Sequence, residues 1–104
     1  IGTIEPHMTS RGYNGEIDLL IALTLKSSTQ DRKIISVRVI HHEETPGIGD
    51  KIEPDVSSWI HQFAGKSARD TDWTLSPKGD IDAISGATIT SRAVTSAIAE
   101  VLSE

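Results

Sequence analysis

The chain contains no cysteine. That excludes disulfides, thiolate metal sites and cysteine nucleophiles, while leaving the redox compartment undecided. Aromatic residues are scarce: Trp59, Trp73, Tyr13 and Phe63 make up the whole set, so the core must be mainly aliphatic. No apolar run approaches the ~18 residues that a membrane span needs; the longest, Leu19 to Leu25, is only strand-sized. Basic residues are outnumbered and scattered, giving a formal net charge of −5. Such a surface repels phosphate backbones and offers no polybasic patch for a membrane, so no nucleic-acid partner is expected. Neither a signal peptide, nor an internal repeat, nor a low-complexity segment is visible.

What remains suits one small domain: 104 residues, 37% of them apolar. The chain opens at Ile1 without an initiator Met, and its first residues show no clear period. Residues 1–11 are therefore expected to be a leader, disordered or vector-derived, and 12–104 the folded domain.

From Glu16 to Lys26 the sequence alternates, with Ile17, Leu19, Ile21, Leu23 and Leu25 on one face, the pattern of a strand with one buried side. Lys33 to Glu43 alternates again, with Ile35, Val37 and Val39 together and Ser36 and Arg38 opposite. The polar link Ser27 to Arg32 makes the pair an antiparallel hairpin. A loop rich in turn residues, Glu44 to Pro54, follows. Val56, Trp59, Ile60, Phe63 and Ala64 then recur at helical spacing up to Gly65. Trp73 to Leu75 reads as a short strand. A final helix is expected from about Thr90 to Ser103, striped by Val94, Ala97, Ile98, Val101 and Leu102, with Thr88 or Thr90 as its N-cap. The fold class is α+β: an antiparallel or mixed sheet built on a hairpin and packed with two amphipathic helices.

The stretch richest in chemistry is Asp82-Ala83-Ile84-Ser85-Gly86-Ala87-Thr88. It is small and polar and leads into a helix N-terminus, where backbone N–H groups and the positive dipole end favour an anion. Gly86 and Ala87 leave room for a large group to approach, Thr88 offers a hydroxyl that can be esterified, Ser85 a further oxygen, and Arg92 a charge one turn on. Taken alone, these residues fit equally a helix cap with its turn.

The stretch resembles the flavinylation motif of the FMN-binding domain family, Asp-x-x-Ser/Thr-Gly-Ala-Thr/Ser, a pattern that average composition produces by chance in a chain this long roughly once in a few thousand. The resemblance extends over about residues 12 to 102. It includes Gly12-Tyr13-Asn14-Gly15, the hairpin, His42-Glu43-Glu44-Thr45-Pro46-Gly47-Ile48-Gly49-Asp50-Lys51-Ile52, Trp59-Ile60 and Phe63-Ala64-Gly65-Lys66. Within the family these segments are similar to the G subunits of Rnf electron transport complexes and, less fully, to the C subunits of sodium-translocating NADH:quinone oxidoreductases. Ile48 stands where the family often has leucine, and the family's N-terminal membrane helix is not among these residues.

The resemblance implies an FMN joined through its phosphate to the Thr88 hydroxyl, installed by a flavin transferase that takes it from FAD with a divalent metal. It implies Asp82, Ser85, Gly86, Ala87, Ile89 and Thr90 around the attachment point, and Glu44, Thr45, Gly47, Ile48 and Gly49 along the ring. The Gly-Ile-Gly loop is expected to lay bare backbone amides and one aliphatic side chain against the flavin. Asp82 is expected to shape the turn or to be read by the transferase. The partners implied are the transferase, the other subunits of a membrane ion-translocating oxidoreductase, and the membrane itself, through a helix outside this fragment, with the domain facing the periplasm or cell exterior. The domain would be a redox subunit, without catalysis of its own in isolation.

The remaining candidates are weaker. His41 and His42 are adjacent on a strand end and point to opposite faces, so a metal site is not expected. Asp80 and Asp82 lack a partner base, and Trp59 and Trp73 are assigned to packing rather than electron relay. Two rival functions use the same residues: a non-redox module that holds an anion or a partner reversibly, and a soluble reductase domain with noncovalent FMN.

Overall fold

The structure is a computed structural model that describes residues 2–8, 15–24, 32–69 and 71–103, with the backbone path alone for 2–8. Gly12-Tyr13-Asn14, Leu25 and Lys26 lie outside the described residues, as does most of the link between the hairpin strands.

Three antiparallel strands form one sheet in the order β1 (Gly2–Met8), β2 (Asp18–Thr24) and β3 (Ile34–His41). The central strand β2 follows the alternation of its sequence: Leu19, Ile21 and Leu23, with Ile17 just before them, are fully buried, and the residues between are half-buried. β1 comes from the aperiodic first residues, whose pattern predicts no element. It pairs along its whole length with β2, from Gly2 opposite Thr24 to Met8 opposite Asp18. Backbone pairing to a strong neighbour can hold a strand that has little period of its own.

β3 departs from the expected face assignment. Ile35 is 51% exposed, while Ile34 joins Val37 in the core. The cause is a register shift against β2: Leu23 faces Ile34 and Ala22 faces Ser36, so Ile35 is an extra, unpaired residue. A bulge moves every side chain beyond it to the other face.

The helix expected at Val56–Ala64 is instead a five-residue 3-10 turn, Trp59–Phe63, preceded by another at Gly49–Ile52. Its apolar residues are nonetheless buried as their spacing predicts, since Trp59, Ile60 and Phe63 all enter the core. The 3-10 geometry is stopped on both sides. The chain from Glu53 to Ser57 is occupied by its own turns, with Val56 and Ser57 N–H both on the Glu53 carbonyl. Beyond Ala64, Gly65 N–H donates to Ile34 O (2.7 Å) and Ile34 N–H to Lys66 O (2.9 Å), tying the segment to the start of β3. The expected strand at Trp73–Leu75 is reduced to a single bridge between Leu75 and Ile81.

Phe63 sits at the centre of the aromatic set. It meets Trp59 edge-on at 5.3 Å and stacks on Trp73 at 6.1 Å, and all three belong to or pack on the one core. That agrees with packing roles for both tryptophans.

The last element, α1 (Thr88–Leu102), begins two residues earlier than its apolar stripe suggests. Val94, Ala97, Ile98, Val101 and Leu102 bury the expected stripe against the sheet residues. The fold is α+β: among the described residues, one α-helix and two 3-10 turns pack against the buried face of β2. Among the described residues, no helix is long and apolar enough to cross a membrane.

Candidate functional site

The turn that launches α1 is built by Gly86 and Ser91. Ala87 N–H donates to Ile84 O at 3.0 Å, and Gly86 has φ +79°, as the third position of a type II turn requires. A Cβ on Gly86 would meet nothing within 4 Å, so the backbone there opens outward. Ser91, fully buried one turn into the helix, fixes the turn from below. Its hydroxyl donates to Ala87 O (2.8 Å) and accepts from Ile84 N–H (2.9 Å). Sequence reasoning missed Ser91 because it lies past the motif; a serine on the buried side of a helix's first turn was the available signal. Ser91→Ala is expected to cost about 1–3 kcal/mol, because it strands the buried Ile84 N–H. A urea midpoint that does not move would show that this N–H finds another partner.

Neither threonine caps the helix as expected. Ala87 occupies the N-cap and provides no side-chain bond. Ser91 N–H makes the first intrahelical bond, to Ala87 O. The N–H groups of Thr88, Ile89 and Thr90 therefore have no acceptor within the helix and carry its positive end. The two threonines then diverge. Thr88 is exposed at the first helical position. Thr90 is 1% exposed, and its hydroxyl is committed to Glu44 Oε1 at 2.5 Å.

That bond joins the two segments singled out in the sequence. Glu44, itself buried, lies behind the loop Thr45–Asp50, and the loop presses on it so closely that a Cβ at Gly49 would stand 2.7 Å from Glu44 Cβ and 3.2 Å from Thr90 Oγ1. Only glycine fits. The loop's amides are not laid bare as expected. Ile48 and Gly49 N–H both reach Thr45 O at 3.0 Å, and Gly47 N–H reaches Asp50 Oδ1 at 2.9 Å. Of the two features expected of the loop, it presents only the aliphatic one, the Ile48 side chain, 46% exposed. His42 supports the arrangement from the end of β3: its Nδ1 accepts Glu44 N–H at 3.0 Å, and its Nε2 lies 3.3 Å from Glu53 Oε1.

Between loop and helix lies a cavity of about 400 Å³ lined by Thr45, Ile48, Gly49, Gly86, Ala87, Thr88, Ile89 and Thr90. Ile89, 52% exposed, faces it beside Ile48. Of the other residues named from the sequence, Glu44 stands behind its wall, and Gly47 and Ser85 are exposed beside lining residues. Asp82 acts through its backbone: its carbonyl accepts the Trp59 indole N–H (2.6 Å) and the Gln62 amide (3.1 Å), and its N–H donates to Gln62 Oε1 (2.8 Å). Arg92 is not at this cavity. It borders a separate cleft with Trp73, Thr74, Leu75, Lys78, Thr95 and Ser96.

The arrangement combines an accessible hydroxyl, three helix N–H groups and two uncovered aliphatic side chains around one space. It therefore suits a ligand with an anionic end and a flat apolar body. The model of the FMN-binding domain matches residues 12–103. The chain belongs to the FMN-binding domain family. It is 43% identical over 91 residues to the G subunit of the ion-translocating oxidoreductase complex of Shewanella baltica, covering 84% of this chain and 41% of that protein. Proteins of the same name from Escherichia coli (44% over 91 residues; 84% and 42%) and Pseudomonas aeruginosa (41% over 95 residues; 88% and 42%) are similar to it as well. The chain thus spans about two fifths of the length of these relatives. FMN is the cofactor for which this family is named.

Proposed function

We propose that this domain is an electron carrier whose FMN is joined through its phosphate to Thr88, and that it works as part of a membrane ion-translocating oxidoreductase. The observation that carries the reading is the exposed Thr88 hydroxyl at the uncapped start of α1, opening on a cavity flanked by Ile48 and Ile89. When bound, FMN supplies the redox chemistry, accepting and passing on electrons. The chain's own residues hold it. The N–H groups of Thr88, Ile89 and Thr90 face the phosphate charge, and Gly86 leaves the approach to the ester clear. Ile48 and Ile89 offer the apolar ring surfaces that would otherwise remain in water. Ser85 and Gly47 border the site from outside, and Asp82, anchored by Trp59 and Gln62, sets the strand of chain that leads into the motif.

A covalent tether suits a domain facing the periplasm or cell exterior, where a dissociated cofactor is lost by dilution. The partners are then a flavin transferase during maturation and the complex's other subunits during turnover, with the membrane reached through a segment outside these residues. The relatives' name supports the assembly, and the motif supports the ester. Intact mass after coexpression with a flavin transferase tests the reading. The expected gain is that of FMN less one water. A yellow protein of unchanged mass that bleaches on denaturation would replace the ester with noncovalent binding, and a colourless, unmodified one would favour a non-redox module.

A further inference from the structure

Nothing on the outer side of the turn holds Thr88 in place. Ser85 and Thr88 are exposed, and neither side chain has a hydrogen-bond partner among the described residues. The constraint comes from beneath. Ser91 Oγ donates to Ala87 O (2.8 Å) and accepts from Ile84 N–H (2.9 Å), so one buried hydroxyl grips both ends of the four-residue turn Ile84-Ser85-Gly86-Ala87. The bond across the turn, from Ala87 N–H to Ile84 O at 3.0 Å, joins the same two residues. A helical serine often bonds the carbonyl four residues back. Here the same oxygen also takes an N–H from outside the helix, which couples the turn to α1. Ser91 is 0% exposed and does not line the cavity, so it meets neither solvent nor a ligand held there.

We propose that Ser91 is a positioning residue for flavin attachment: it holds the acceptor turn in the shape in which Thr88 is offered to the flavin transferase. The inference rests on the reading of Thr88 as the attachment point. In the transfer, the Thr88 oxygen bonds to the flavin-side phosphorus of FAD, and the phosphoanhydride bond to the AMP half breaks. AMP leaves, the hydroxyl proton passes to a base or to solvent, and nothing is oxidised or reduced. Ser91 takes no part in those bonds. It sets how often the turn has the form that the transferase accepts. Without the hydroxyl, Ile84 N–H and Ala87 O lose the partner they share, and Gly86 (φ +79°) can leave its positive φ at little cost. The competent turn is then only fractionally populated. Apparent affinity falls by that fraction, while transfer from the bound state is unchanged.

The test measures initial rates of flavin transfer in vitro, with the purified flavin-free domain, FAD, a divalent metal and a flavin transferase. The domain concentration is varied at a temperature where circular dichroism shows each variant folded. Ser91→Ala should raise KM for the domain about tenfold and leave kcat within about twofold of wild type. Ser91→Cys fills nearly the same space but hydrogen-bonds weakly, so it should raise KM as well, whereas a packing role alone would leave it at wild type. A folded Ser91→Ala protein with wild-type KM overturns the inference, and so does a loss confined to kcat; either result leaves Thr88 as the attachment point. If Ser91→Ala cannot be obtained folded, a Ser91→Cys protein with wild-type KM overturns it equally. A wild-type domain that accepts no flavin overturns the attachment site, and this inference with it.

Discussion

Thr88→Ala will abolish the ultraviolet-fluorescent band that the wild-type domain shows on a denaturing gel after coexpression with a flavin transferase, while its stability stays within about 0.5 kcal/mol of wild type. Both halves follow from where the side chain sits. Thr88 is exposed and makes no capping bond, so its loss removes no packing and strands no buried partner. In the proposed reading the hydroxyl it loses is the acceptor of the phosphoryl group, for which alanine has no substitute. Thr88→Ser should keep the band, because the oxygen remains. The neighbouring hydroxyls serve as controls. Ser85 is exposed and adjacent, so Ser85→Ala must leave the band in place for the assignment to hold. Thr90 is excluded by geometry, since its oxygen is buried against Glu44. Fluorescence that persists in Thr88→Ala and disappears in Ser85→Ala would move the ester to the other side of Gly86.

The motif could be read from the sequence because its requirements are local. A small-residue turn before a helix, followed by a hydroxyl, is fixed by residues within one turn of one another. Position 86 needs glycine for a positive φ that can be inferred from the turn alone. The other half of the site could be named but not built. That the loop Thr45–Asp50 meets this turn depends on the Glu44–Thr90 bond, and pattern says nothing about a pairing 46 residues apart. The amides of Ile48 and Gly49, expected to face a ligand, instead close on Thr45 O three and four residues back, because the loop folds into its own local turn. Arg92 shows the opposite error. Its spacing from Thr88 suggested reach, but its side chain borders another cleft.

The fold divides along similar lines. β2 and α1 announce themselves because each buries one face against a core, and periodicity records that burial. β1 was illegible because its place in the sheet is secured by backbone bonds to β2, to which side-chain type contributes little. Ile34 and Ile35 exchange roles because a bulge is a property of the pairing, not of one strand. The segment around Trp59 imitates a helix because a 3-10 turn also brings residues three apart onto one side, so apolar spacing over five residues does not separate the two.

That short turn carries the second large effect. Phe63→Ala should cost about 3–5 kcal/mol, a large share of the roughly 5–15 kcal/mol that holds a domain of this size together. Phe63 is fully buried and touches both tryptophans, so truncation opens a cavity and removes two ring contacts at once. A 3-10 turn has poorer hydrogen bonds than an α-helix and depends more on its side-chain anchors. The consequence should reach the proposed flavin site. The Trp59 indole and the Gln62 amide hold the Asp82 backbone, from which the chain runs directly into Ile84, Gly86 and Thr88. Phe63→Ala is therefore expected to lower both the urea midpoint and the flavinylated fraction, and Trp59→Phe, which keeps the ring but loses the indole N–H, to lower the flavinylated fraction with a smaller change in stability. Full flavinylation in a Phe63→Ala protein that unfolds several kcal/mol more easily would show that the motif holds its shape without this anchor.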